Sequence, residues 1–103
     1  MKRLRVIIPP EVRLQIRDQL LFISQDSIDN ALAWEDRLLA AINEIGDMPG
    51  HAVDDDASRR VGQNVRKLVF EGTYLIHYRV RDAVAVEIVN FRHGSRLPRA
   101  DEP

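Results

Sequence analysis

The stretch "NVRKLVFEGTYLIHYRVRDAVAVEIVNF", residues 64–91, decides the fold of this chain. It holds three runs rich in Val, Ile, Tyr and Phe, which follow the two-residue period of β-strands. Short polar segments, Glu71-Gly72 and then Arg81-Asp82-Ala83, separate the runs and have the lengths of hairpin loops. The stretch therefore predicts a three-stranded antiparallel meander.

Two helices are predicted before the meander, because apolar residues recur there at helical spacing. The first stripe comprises Val12, Ile16, Leu20 and Ile23, and the second comprises Ala31, Trp34, Leu38, Ile42 and Ile45. Asp26 or Ser27 is expected to cap the second helix, and Gly46 is expected to end it. Helices joined by so few residues form an antiparallel hairpin.

Two further segments complete the predicted fold. The run "RLRVII" at residues 3–8 is of β type, stops at Pro9-Pro10, and is free to join the same sheet. The segment "HAVDDDASRRVGQ" at residues 51–63 has no period and is interpreted as a loop. The predicted fold class is α+β: an N-terminal strand, an antiparallel helical hairpin and a three-stranded antiparallel meander, with the sheet packed on the helices.

Composition limits the class of protein. A chain of 103 residues, 45% of them hydrophobic, is expected to form a single domain over residues 1–103, with residues 97–103 as a flexible tail. The absence of cysteine excludes a disulfide framework and suits a reducing cytoplasm. The N-terminal apolar run is too short for a signal peptide or a membrane span. A net charge of −1 argues against a polycation that seeks nucleic acid, although arginines gather near the C-terminus.

Strand alternation predicts a second, mixed face of the meander. Hairpin loops of two and three residues would place Arg66, His77 and Glu87 in one polar row across it, with Arg79 alongside. The apolar residues expected beside that row are Leu68, Phe70, Leu75, Val89 and Phe91. An exposed apolar patch of that size marks a protein interface. The alternative is that the segment 51–63 or the C-terminal tail folds over the patch.

The sequence offers little support for metal or cofactor chemistry. The three histidines, His51, His77 and His93, lack metal-ligand spacing, and no glycine-rich phosphate loop is present, so neither a metal nor a cofactor is expected. Metal-independent acid–base chemistry on RNA would need a histidine or carboxylate together with arginines, which the polar row supplies. A cross-strand row of polar pairs facing water is the other interpretation, and it is favoured.

The last hydrophobic run ends in "VNFRHGSRLPRA", residues 89–100, for which three interpretations compete. In the first interpretation, His93 is a catalytic base. In the second, Arg92, Arg96 and Arg99 bind a phosphate or a carboxylate surface. In the third interpretation the segment is a structural strand exit, at which Gly94 allows a turn. A structural or partner-binding role is favoured over proton transfer.

The order of these elements, with "ALAWEDRLLAAINEIGDMPG", "NVRKLVFEGTYLIHYRV" and "VEIVNFRHGSR", resembles the RelE/ParE toxins of bacterial type II toxin–antitoxin systems. The motifs that carry the resemblance are the Ala-x-x-Trp helix, "VR" opening the second strand, "Y-x-I-x-Y-R" and the "HG-x-R" ending. It covers about Arg5 to Arg96. It implies a small toxin that a cognate antitoxin neutralises by wrapping around it, which gives the apolar patch (Leu68, Phe70, Leu75, Val89 and Phe91) an occupant.

The resemblance also implies two functions. RelE-like members cut mRNA on the ribosome, and the residues to do so here would be Arg66, His77, Arg79, Glu87 and Arg96. ParE-like members poison DNA gyrase, and the "HG-x-R" ending is similar to that of the ParE and plasmid-stabilisation branch. The acidic segment after the second helix and the absence of a tyrosine after His93 favour the ParE-like function.

The expected partners are therefore an antitoxin and DNA gyrase, with direct nucleic-acid binding only in the RNase alternative. Arg92, His93, Arg96 and Arg99 are the residues proposed to contact the target. A third possibility is a silent member of the family, kept for complex formation or autoregulation.

Overall fold

A computed structural model of the chain describes residues 3–95. The elements are β1 (Arg5–Ile7), α1 (Pro10–Ser24), α2 (Ile28–Glu44), α3 (Asp55–Val61), β2 (Arg66–Phe70), β3 (Tyr74–Arg81) and β4 (Ala85–His93). The strands form one sheet in the order β1-β4-β3-β2, in which β1 runs parallel to β4 and the meander is antiparallel. The predicted α+β architecture is confirmed. The predicted tail at 97–103 lies outside the described residues.

Both predicted helices form, and both apolar stripes face the core. The core residues are Val12, Ile16, Trp34, Leu38, Ile42, Ile45, Phe70, Ile76, Tyr78, Val86, Ile88 and Phe91, with Leu20 and Ile23 partly buried against them. Pro10 opens α1, where its missing N–H costs nothing. Ser27 caps α2, since its hydroxyl accepts a hydrogen bond from the Asn30 amide at 3.1 Å, as the sequence predicts.

Gly46 has a different role from the one predicted. It lies beyond the C-cap of α2, which is Ile45, and it is not among the residues with positive φ. Its carbonyl accepts the Leu4 amide at 2.9 Å, and a Cβ atom at Gly46 would lie 2.6 Å from the Leu4 carbonyl oxygen. A glycine is needed here because the chain before β1 passes directly against the end of α2.

Each hairpin loop contains three residues, and neither loop has the bounds that the sequence predicts. Phe70 pairs with Tyr74, so the first loop is 71–73, and Arg81 pairs with Ala85, so the second is 82–84. Positive φ angles of 52° at Glu71 and 67° at Gly72 turn the first loop. The predicted register, with Leu68 opposite Leu75, was wrong by one residue, and in β2 that error exchanges the two faces.

A β-bulge corrects the predicted face of β4. Tyr78 pairs with Ile88 while His77 pairs with Asn90, so Val89 is an extra residue without a partner in β3. The extra residue returns Phe91 to the helix-facing side, where its ring lies 6.0 Å from that of Trp34. Without the bulge, strict alternation would place Phe91 on the opposite face.

The segment 51–63 is not a simple loop, because it contains α3. The Asp54 carboxylate caps the helix by accepting the Ala57 amide at 3.1 Å, and Gly62 ends it in the left-handed conformation. Ala57 is fully buried. The prediction missed α3 because seven mostly polar residues display no apolar stripe.

The buried hydroxyl of Tyr78 anchors the segment that follows α2. It donates to the Pro49 carbonyl at 2.8 Å and accepts the His51 amide at 3.2 Å, and it lies 2.7 Å from His51 Nδ1. Burial raises the pKa of Tyr78, so the hydroxyl keeps its proton and remains a donor.

Replacing Tyr78 by Phe is expected to lower the free energy of unfolding by about 1–3 kcal/mol, because the change leaves buried polar groups without a partner. Urea denaturation with an unchanged m-value would measure this loss. Tyr74→Phe is the matched control, since the Tyr74 hydroxyl accepts one 3.2 Å bond from Gln19 and is less buried. An equal or larger loss in the control would contradict the anchoring role of Tyr78.

Candidate functional site

Arg96 lies outside the described residues, and the other four residues predicted to cleave RNA do not form one accessible cluster. Arg66 pairs with Tyr78, and its guanidinium donates to the His51 carbonyl at 2.6 Å. Arg79 pairs with Glu87, and the two side chains form an ion pair at 2.6 Å. The predicted polar row, with Arg66, His77 and Glu87 in line, was therefore wrong, for the same register reasons as the face assignment.

His77 is fully buried and contacts an acid that the sequence analysis did not consider. Its Nε2 lies 3.0 Å from Oδ2 of Asp54, the capping residue of α3. Burial lowers the pKa of His77 more strongly than the Asp54 carboxylate raises it. At neutral pH the contact is therefore a neutral imidazole that donates to a carboxylate, and the ring is closed to solvent.

The strand exit at the end of β4 is a compact turn. The Gly94 amide donates to the Thr73 carbonyl at 2.7 Å, and a Cβ atom at Gly94 would lie 2.9 Å from that oxygen. His93 Nδ1 accepts the Ser95 amide at 3.1 Å, and its ring lies edge-on to Tyr74 at 5.4 Å. The sequence predicts that Gly94 allows a turn, and in the structure a glycine is needed there because its backbone lies directly against the Thr73 carbonyl.

Of the three arginines and one histidine proposed to contact the target, the structure describes two. Arg92 and His93 are half-buried at the end of β4. Arg96 and Arg99 lie outside the described residues.

The apolar residues predicted to bind an antitoxin do not share one surface. Phe70 and Phe91 belong to the core and have 7% and 3% of their surface exposed. Leu68 is partly buried against the same core. Leu75 and Val89 are half-buried, and Leu75 shares the opposite face of the sheet with His77. The predicted patch was wrong as a single exposed surface, because the three-residue loop and the bulge turn its two aromatic rings inward.

The helical hairpin exposes apolar side chains that the sequence analysis did not single out. On α1 these are Leu14, Leu21 and Phe22, and on α2 they are Ile28, Leu32 and Leu39, each at least 40% exposed. Phe22, the one aromatic residue among these six, is 65% exposed. The available signal was that these residues fall outside both buried stripes, which leaves them directed away from the sheet.

A groove of about 310 Å³ lies between the two helices of the hairpin. Its lining residues are Ile8, Arg13, Ile16, Arg17, Leu20, Glu35 and Leu39. Among residues 3–95, no ion pair neutralises Arg17 or Glu35. The groove therefore combines apolar residues with two cationic side chains from α1 and one anionic side chain from α2.

Within the described part of the chain, no group of three or more His, Asp or Glu side chains is arranged to hold a metal ion. None of the helices in residues 3–95 is both long and apolar enough to span a membrane. The surface features that remain are the apolar hairpin, its charged groove and the turn at the end of β4.

The four-stranded sheet covered on one side by a helical hairpin defines a domain of the α+β class. The family model described as "ParE toxin of type II toxin-antitoxin system, parDE" matches residues 6–98. The chain therefore belongs to the ParE toxin family, as the sequence resemblance predicts. No curated protein matches the chain.

Proposed function

We propose that this ParE-family toxin acts by binding DNA gyrase, and that a cognate antitoxin holds it inactive. The observation that supports a binding function over RNA cleavage is that candidate catalytic residues already contact other side chains of the fold. His77 is buried against Asp54, and Arg79 is paired with Glu87. General acid–base catalysis requires a group within reach of the substrate, and a fully buried imidazole has no such access.

The antitoxin is proposed to cover the exposed apolar surface of the hairpin. Six large apolar side chains on α1 and α2 are solvent-exposed. We propose that they act together as one apolar patch, the kind of surface that marks protein interfaces. The groove between the helices suits an amphipathic segment, whose apolar face would enter against Ile16 and Leu20. Arg13 and Arg17 on its α1 wall favour a segment with carboxylates along the facing edge.

Leu75 and Val89 are proposed as a second antitoxin contact, on the face of the sheet away from the hairpin. They are the members of the predicted patch that are half-buried and do not pack against the core, which gives them surface that a partner can bury. A segment that continues past the hairpin and around the sheet edge would contact both surfaces.

The end of β4 is the proposed contact with gyrase. Arg92 and His93 are the last two residues of β4, and Arg96 and Arg99 follow shortly after them in the sequence. Arginines grouped at a strand exit suit an acidic protein surface, because each guanidinium binds a carboxylate through two parallel hydrogen bonds. Action on gyrase would place the toxin in the cytoplasm, which suits a chain without cysteine.

Induction of the chain alone in bacterial cells tests this function. We expect growth arrest with a DNA-damage response and gyrase trapped on broken DNA. Rapid loss of translation with mRNA cut at codon boundaries would instead identify an RNase. Normal growth would identify a silent member of the family. Either of these two results contradicts the proposal.

A further inference from the structure

The short helix α3 depends on its tertiary contacts, because seven residues are too few for an independently stable helix. Ala57 is its one fully buried side chain, and the Ser58 hydroxyl accepts the Val65 amide at 2.9 Å. The Asp54 amide donates to the Val65 carbonyl at 2.8 Å. Both hydrogen bonds join the segment to Val65, the residue directly before β2.

The deepest attachment of α3 is the contact between Asp54 and His77. The Asp54 carboxylate makes two contacts: Oδ1 accepts the Ala57 amide at 3.1 Å and Oδ2 lies 3.0 Å from His77 Nε2. His77 alternates along β3 with the core residues Ile76 and Tyr78. Its ring therefore projects from the face of the sheet opposite the hairpin, where α3 lies over it.

The surroundings of His77 oppose a second proton on its ring. Its Nδ1 is buried and has no hydrogen-bond partner among residues 3–95. The charged groups around the ring are Asp54 before α3, Lys67 on β2 and Arg92 on β4, and the two cations oppose protonation. Protonation in the closed state would create a buried N–H without an acceptor, which is costly.

We propose that residues 54–64 form a latch that closes over neutral His77 and opens as a unit in mild acid, before the rest of the fold. Opening admits water to the imidazole, which then takes up a proton. Since the open state binds more protons than the closed state, acid favours the open state. Opening would also uncover sheet surface on the side that carries Leu75.

The sign and the pH window follow from the two titrating groups. The pKa of His77 is lowered by burial, so its contribution to closure is complete above the ordinary histidine pKa of about 6.5 and is lost as the pH falls below it. Burial alone would raise the pKa of Asp54, but the Ala57 amide, His77 and Lys67 lower it overall. Asp54 therefore weakens closure only in stronger acid, below about pH 4.

Amide hydrogen exchange of the full chain tests the latch. The reporters are the Ser58 and Gly62 amides, which donate to the Asp54 and Ser58 carbonyls, and the core reference is Ile88. We expect protection of the reporters to fall up to about tenfold between about pH 7.5 and 5.5, after correction for intrinsic rates. The reporters should exchange faster than Ile88 and depend less on denaturant. Reporter protection that matches Ile88 in size and denaturant slope, or that is independent of pH, overturns the proposal.

The variant His77→Gln tests whether the imidazole causes the pH dependence of the latch. A glutamine amide can still donate to Asp54 but does not titrate, so the fall in reporter protection should disappear. His93→Gln is the matched control and should retain it, since His93 lies at the far end of β4. If His77→Gln does not fold, an NMR titration of the His77 ring in the wild-type chain decides. Protonation with a pKa at or above the ordinary value in the closed state would overturn the latch.

Discussion

The variant Phe91→Ala is expected to lose about 3–5 kcal/mol of unfolding free energy, which is a large part of the stability of a domain of this size. Phe91 is 3% exposed and packs between Trp34 and Tyr74, with ring centroids 6.0 Å and 5.6 Å away. The truncation would remove apolar contacts and leave a cavity between the sheet and α2. Thermal or urea denaturation of the purified chain would measure the loss.

Phe22→Ala is the matched control for this prediction. It is the same chemical change at a side chain that is 65% exposed on α1. Surface truncations change stability by no more than about 0.5 kcal/mol. If Phe91→Ala is as mild as Phe22→Ala, Phe91 is not a core residue, and its original assignment to an exposed patch regains support.

The second large effect is expected from Phe22→Glu combined with Leu32→Glu, which places two carboxylates on the exposed hairpin surface. Each loss of a central apolar contact in an interface costs about 2 kcal/mol, or about thirtyfold in affinity. We expect the double variant to bind the antitoxin at least about a hundredfold more weakly. The antitoxin for this measurement would be selected as a gene from the source genome that restores growth when expressed with the toxin.

Two readouts distinguish loss of the interface from loss of the fold. The double variant should keep its melting temperature and remain toxic when expressed alone, while co-expression of the antitoxin should no longer restore growth. Val80→Glu combined with Val84→Glu is the matched control, because both valines are at least 40% exposed and lie on the β3–β4 hairpin. If both double variants bind the antitoxin equally well, the helical hairpin is not the docking surface.

The helices were predictable from sequence because their signals are local. Apolar residues recur at intervals of three and four between Val12 and Ile23 and between Ala31 and Ile45. This pattern indicates a helix without knowledge of the rest of the fold. The Ser27 cap likewise acts within one turn. The strands of the meander were recognised by the same kind of argument, from a two-residue period and turn residues.

Strand register was not predictable, since it depends on loop conformation. Glu71-Gly72 reads as a two-residue turn, yet the loop includes Thr73, whose amide donates to the Phe70 carbonyl at 3.1 Å. The bulge at Val89 leaves no mark in the sequence. Each of these one-residue changes exchanges the faces of a strand, which is why Phe70 and Phe91 were expected at an interface and lie in the core.

The candidate site was missed for a related reason. For an apolar residue outside a helical stripe, the sequence does not show whether another element packs against it. Leu14 and Leu32 are exposed because nothing in residues 3–95 packs on the outer side of the hairpin. The burial of His77 was equally hidden, because it requires α3, whose only sequence signals were Asp54 and Gly62 at its two ends.

The proposed action of this toxin on gyrase can be tested by incubating the purified chain with purified DNA gyrase, supercoiled plasmid and ATP. Addition of detergent and protease would then release any trapped cleavage complex as linear DNA. We expect linear DNA that increases with the concentration of the chain and is absent when either protein is omitted. Unchanged gyrase activity, together with cleavage of mRNA on purified ribosomes by the same preparation, would contradict it.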